Sequence, residues 1–183
     1  MNYELDFLDA IQKYCRSDFL DMFMPKFTLT ASGGVIWIVI CLFMISNKKY
    51  RKAGILAMIG MVLGLIIGNG ILKNIVMRTR PYEFRNITLL IKKPWDYSFP
   101  SGHTLASFIS AFIISFYHRK LSFLVYPLAI AIAFSRMYLY VHFPSDILAS
   151  IVLAFLICLF VVKKVSPWYD KYYPRIIKKK NKQ

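Results

Sequence analysis

"AGILAMIGMVLGLIIGNGILKNIVMRTRP", residues 53–81, opens with an uncharged run to Leu72 and closes on Lys73, Arg78 and Arg80. A helix rising 1.5 Å per residue needs about 20 residues to cross a hydrocarbon core of roughly 30 Å. The first part has that length and composition, so it reads as a membrane span, and the cations mark where it leaves the bilayer. Four more uncharged stretches follow the same logic: 27–46, 101–117, 121–135 and 147–162. The last three are shorter and need polar flanks to complete a crossing. With 57% apolar residues and a mean hydropathy of +0.49, the chain lies outside the range of soluble globular proteins. Five fully buried helices in 183 residues would leave too little amphipathic surface to cover them. The expected fold class is therefore all-α, a polytopic membrane helical bundle of five transmembrane helices.

Ahead of these spans, residues 1–26 carry five acids and no apolar core of the kind a secretory leader needs. Leu5, Leu8, Ile11, Cys15, Phe19, Met22 and Phe23 fall at helical spacing, which predicts an amphipathic helix lying on the membrane surface. Cys41 and Cys158 sit inside apolar stretches and Cys15 has no evident partner, so neither a disulfide framework nor a metal site is expected. The organisation read from the chain is a surface helix over 1–26, a membrane domain over 27–165 and a basic cytoplasmic tail over 166–183.

The net charge of +15 raises the question of nucleic acid. Its distribution answers it. In a five-span layout one face holds the 47–52 loop, the 118–120 turn and the chain after 162, with fourteen Lys and Arg and one acid, Asp170. The other face holds ten basic residues and the remaining eight acids. Basic short loops mark the cytoplasmic side, and a basic tail there is drawn to anionic lipid head groups, so the partner is the phospholipid bilayer and not nucleic acid.

Three polar clusters fall on the opposite, outer face. In "KNIVMRTRP", Lys73 and Arg80 are seven residues apart, which on a helix returns to nearly the same side about 10 Å along the axis. Arg78 points elsewhere on that wheel and is expected to snorkel to the interface. In "FPSGH", Pro100 sets up a helix start, Ser101 can cap it and Gly102 admits close approach, leaving unpaired N–H groups that favour an anion. In "SRMYLYVHFPSD", Arg136 ends one span, and His142 precedes a helix whose first turn carries Asp146. A carboxylate four residues after a histidine can fix its tautomer. Each cluster alone also has a plain reading, as interfacial cations, a serine cap, or a histidine beside a capping acid. Together they assemble what phosphoryl transfer without metal requires: cations and N–H groups for the oxygens, and two histidines to divide the roles of nucleophile and acid.

Lys73-x6-Arg80-Pro81, Pro100-Ser101-Gly102-His103 and Ser135-Arg136-x5-His142-x3-Asp146 resemble, in order and spacing, the three motifs of the type 2 phosphatidic acid phosphatase family, which extends to the vanadium haloperoxidases. The resemblance implies a membrane enzyme that removes phosphate from lipid phosphates or diphosphates with no cofactor. It implies that His142 is the nucleophile held by Asp146, that His103 is the acid, and that Lys73, Arg80, Ser101, Gly102 and Arg136 cradle the phosphate. The short chain and the outward site are most similar to small bacterial undecaprenyl-diphosphatases of the cell membrane. A phosphatidylglycerophosphatase or phosphatidate phosphatase is the alternative, and a non-catalytic lipid scramblase or transporter is the reading from another class.

Overall fold

Ser17 divides the N-terminal segment in two. Its extended backbone and a hydroxyl that accepts from Leu20 N cap a new helix, so the single surface helix expected over 1–26 becomes α1 (Asn2–Cys15) and α2 (Asp18–Thr30). The computed structural model describes residues 2–172, and the last eleven residues of the expected basic tail lie outside the described residues. Beyond α2 come α3 (Val35–Ser46), α4 (Arg51–Gly64), the one-turn α5 (Lys73–Val76), α6 (Gly102–Tyr117), α7 (Ser122–Tyr138) and α8 (Pro144–Phe160). The fold is all-helical, with no strand among the described residues.

The apolar face of α1 does not rest on lipid. Leu5, Leu8 and Ile11 are buried against Tyr82 and the Tyr138–Phe143 turn, within a small second core. The acids on α1 then meet bases on the protein: Glu4 pairs with Arg78, and Asp9 accepts from Arg85 and from the Tyr140 hydroxyl. The α1 part of the stripe expected to face the membrane, Leu5, Leu8 and Ile11, is thus covered by protein. An amphipathic pattern reports that one face is buried and not what buries it. Large apolar side chains stay exposed on both helices, at Tyr3, Phe7 and Tyr14 of α1 and at Phe19, Met22 and Phe23 of α2.

Between α2 and α3 the chain turns through Gly33 and Gly34, at φ of 60° and 75°, where a side chain would be strained. The two halves are bent by 45°. Three stretches, Arg51–Glu83, Arg119–Tyr138 and Pro144–Tyr172, are long and apolar enough to cross a membrane, and the bent α2–α3 pair would make a fourth. The apolar α6 has 16 residues.

Helix α6 is the centre of the bundle, packed by α4, α7 and α8. It meets α4 through glycines four residues apart, Gly60, Gly64 and Gly68. A Cβ at Gly64 would fall 2.5 Å from Ile109 Cδ1, and one at Gly68 would collide with Leu105. Small residues let backbones approach where lipid offers no hydrophobic drive. Trp37 is also buried, and its indole donates to Ser107 Oγ at 2.8 Å and ties α3 to α6. This tight seam carries the end of the α4–α5 run to the start of α6.

Candidate active site

Four helix ends meet around one cavity of about 460 Å³. The α4–α5 run reaches it through a π-helical segment, Leu65–Leu72, and delivers Lys73. The helix stops at Val76, because Met77 takes a left-handed conformation, and Arg80 is extended. The seven-residue helical argument for Lys73 and Arg80 therefore fails in its geometry. The two cations converge by another route: Asp96, on the loop before α6, accepts from Lys73 Nζ and from Arg80 Nη2, the latter at 2.6 Å. Arg80 also donates from Nε to Asp96 O and from Nη1 to Val141 O, at 2.8 and 2.7 Å.

Helix α6 begins as its sequence suggests. Ser101 is its N-cap and accepts from Thr104 N. The first N–H groups of a helix have no intrahelical acceptor, and here they belong to Gly102 and His103, which line the cavity. Ser101 departs from expectation. It is fully buried, absent from the cavity wall, and its N–H donates to Ser150 Oγ. The structure makes it a cap and a brace, and not a wall residue of the cradle.

At the α7–α8 junction, His142 Nε2 lies 3.3 Å from Arg80 Nη1. A guanidinium has no acceptor, so Nε2 must present its lone pair to the site. Nδ1 faces Asp146 Oδ2 at 3.6 Å, just outside hydrogen-bond reach. Asp146 is fully buried and held from several sides: Arg78 Nη1 donates to Oδ1, while Ser98 Oγ and Phe143 N donate to Oδ2. His103 Nε2 stands 3.4 Å from Ser32 Oγ, in the α2–α3 bend. Arg136 is 4% exposed; its Nη1 donates to Thr28 Oγ1, and its Nε is buried with no hydrogen-bond partner among the described residues. Buried guanidinium N–H groups are rarely left unpaired, so this one points to an anion.

The same cavity continues between α3 and α4 along Leu29, Ile38, Met58, Met61, Val62 and Leu65. A polar end carrying Lys73, Arg80, Arg136 and two histidines thus opens into an apolar corridor. That is the shape of a site for a phosphorylated lipid.

The PAP2 superfamily profile matches residues 53–170, which include every one of these motif residues. The chain belongs to the PAP2 superfamily. Among curated proteins it is 33% identical over 116 residues to an undecaprenyl-diphosphatase of Sulfolobus acidocaldarius, covering 62% of this chain and 56% of that one. It is 33% identical to the bacitracin transport permease protein BcrC of Bacillus licheniformis, over 74% of this chain and 71% of the relative. In structure it resembles a PAP2-type phosphatidylglycerolphosphate phosphatase of Bacillus subtilis (TM-score 0.70, 23% identity, covering 93% and 86% of the two chains). Aquifex aeolicus LpxE is equally close in fold (TM-score 0.70, 25% identity, 88% and 95%).

Around this PAP2 site, sequence reasoning missed several contributors. Arg78, assigned to the interface, instead reaches Glu4 Oε2, Ser145 Oγ and Asp146 Oδ1 at 2.6, 2.6 and 2.7 Å, with its guanidinium 3.9 Å from the Phe143 ring centre. The helical wheel that turned it away was drawn through residues that are not helical. Asp96 had one sequence signal, an acid two residues ahead of the "SFPSGH" run. Thr28 and Ser32 had none, since their role depends on where α2 ends.

Two carboxyls outside the spans carry a pH consequence. Burial favours the neutral form of Asp96, yet Lys73 and Arg80 outweigh it and bring its pKa down to about 2 from 3.8. Burial likewise opposes charge on Glu4, but Ser145 and Arg78 prevail and lower it from 4.5. Both titrate lower in the fold than in the unfolded chain. Their stabilisation is complete above their unfolded values of 3.8 and 4.5 and is lost as pH falls through the folded values. The melting temperature in detergent should accordingly decline on acidification below about pH 4.5, and Asp96→Asn should flatten that decline. A melting temperature that rises over this range would contradict the assignment.

Proposed function

We propose that this PAP2 protein hydrolyses isoprenoid lipid diphosphates, with undecaprenyl diphosphate converted to undecaprenyl phosphate and inorganic phosphate. It is a membrane lipid phosphatase. One observation carries the reading: Arg136, whose buried Nε has no hydrogen-bond partner among the described residues, lines a cavity that joins three cations and two histidines to an apolar corridor. The names of the undecaprenyl-diphosphatase relatives favour the diphosphate over other lipid phosphates.

In this mechanism His142 Nε2 attacks the terminal phosphorus as the bond to the lipid-side oxygen breaks. His103 gives that oxygen its proton, and the lipid leaves as the monophosphate. Water then attacks the phosphohistidine, His103 takes up the released proton, and phosphate departs. Lys73, Arg80 and Arg136, with the N–H groups that open α6, stabilise charge on the equatorial oxygens, the part a metal ion plays elsewhere. Asp146 holds the His142 tautomer. Initial rates of the purified protein on undecaprenyl diphosphate, phosphatidylglycerophosphate and phosphatidate test the substrate. The diphosphate should give the highest kcat/KM, and no phosphate release from any of the three would overturn the enzyme reading.

The same proposal places five helices across the membrane, with α2–α3 as one bent span, α6 completed by its polar flanks, and the site facing outward. It is supported by the basic residues of the 47–52 loop and the 118–120 turn at the far ends of the spans. In a cysteine-free background, a membrane-impermeant thiol reagent on intact cells should label Asn86→Cys and spare Asn47→Cys. The reverse pattern would invert the topology.

A further inference from the structure

Asn69 is a polar residue in the apolar run 53–72. It sits in the π-helical segment Leu65–Leu72, a distortion that often marks functional positions in helices. Its amide lies against the start of α6, where a Cβ at Gly102 would fall 3.0 Å from Oδ1 and 3.2 Å from Nδ2. Asn69 Oδ1 is buried without a hydrogen-bond partner among the described residues, and the residue lines the cavity. Ser32 lines it too, with its hydroxyl 3.4 Å from His103 Nε2.

These positions bear on the leaving group. In an in-line displacement by His142 the departing oxygen lies on the far side of phosphorus, where His103 protonates it. A group that touches His103 Nε2 is therefore beside whatever is attached to that oxygen. Beyond it begins the apolar corridor of Ile38, Met58 and Leu65. Beside the charged Lys92 and Asp96, the cavity wall carries neutral polar groups that include the Ser32 hydroxyl and the Asn69 amide, which can turn its NH₂ toward an acceptor. A monophosphate ester would present only carbon there.

We propose that Ser32 and Asn69 form a second subsite that receives the lipid-side phosphate of a diphosphate and sets the preference for diphosphates over monophosphates. The proposal rests on the lipid phosphatase reading and extends it to substrate choice. Neutral donors suit this position. They hold the phosphate that must leave with the lipid without binding it as tightly as the cationic cradle binds the phosphate that stays.

The test uses full-length protein in detergent with farnesyl diphosphate and farnesyl monophosphate. In Asn69→Ala and in Ser32→Ala the ratio of kcat/KM for diphosphate over monophosphate should fall about tenfold, the loss of one hydrogen bond to a charged group. An unchanged ratio in both variants overturns the subsite while leaving the phosphatase reading intact. A wild-type protein that cleaves the monophosphate and not the diphosphate overturns the subsite and the proposed substrate together. Should a variant lose all turnover, thermal shifts decide. Inorganic pyrophosphate should stabilise the wild-type protein more than orthophosphate does, and the difference should shrink in the variants. Equal stabilisation of the wild type by both anions refutes the proposal.

Discussion

His142→Ala is expected to lower phosphate release by roughly 10⁴-fold or more, the scale seen when a nucleophile that acts within a catalytic unit is removed. Three observations single out this ring. It is 2% exposed, its Nε2 receives an N–H from Arg80 at the rim of the cradle, and its Nδ1 faces the buried Asp146. The other ring in the site, His103, contacts the hydroxyl of Ser32 and has no carboxylate to orient it. Substituting His142 leaves the cradle and corridor in place, so the variant should still bind substrate. Competition by His142→Ala for labelled lipid diphosphate separates loss of chemistry from loss of folding. A second measurement follows the covalent intermediate. Wild-type protein quenched in alkali after brief exposure to labelled substrate should carry phosphate on the peptide containing His142, since the phosphorus–nitrogen bond survives base. Near-normal turnover by His142→Ala, or label on another residue, would end the assignment.

Arg78→Met should give the second-largest loss, a fall in kcat of roughly 10- to 100-fold, the range for residues that orient a reacting group from behind. Arg78 does not line the cavity. It acts through Asp146, which is 0% exposed and, among the described residues, has the Arg78 guanidinium as its one full charge partner within hydrogen-bond reach. Removing one partner of a buried pair leaves an uncompensated charge and costs about 3–5 kcal/mol in stability. Arg78→Lys should be only a partial rescue, because one ammonium cannot serve Glu4, Ser145 and Asp146 in a single plane. The split between constants distinguishes positioning from general damage. With Lys73, Arg80 and Arg136 intact, KM should stay near the wild-type value while kcat falls. Arg85→Met is the control, since it removes exposed pairs to Asp6 and Asp9 that are worth little. Wild-type kcat in Arg78→Lys would show that Asp146 needs no help from this side.

What could be read from the sequence was whatever depends on covalent periodicity. Apolar runs, a serine one residue before a helix, and a carboxylate four residues after His142 each involve neighbours along the chain; the runs became helices, three of them long enough to cross a membrane and a fourth if the bent α2–α3 pair is one span. The identities of Lys73, Arg80, Gly102 and Arg136 as cavity residues were legible for the same reason, because helices that alternate in direction bring every second end to one face. Tertiary structure decided the rest. Chain direction after Met77 is set by one left-handed residue, and from there Arg78 turns to Glu4 and Asp146, 74 and 68 residues away. Asp96 bridges Lys73 and Arg80 because the loop before α6 folds back over them. Thr28 and Ser32 enter the site because α2 bends where it does. The docking of α1 depends on a pocket made by Tyr82 and the Tyr138–Phe143 turn, which exists only once α7 and α8 have packed. A helical pattern records that a face is hidden, and only the assembled fold supplies the surface that hides it.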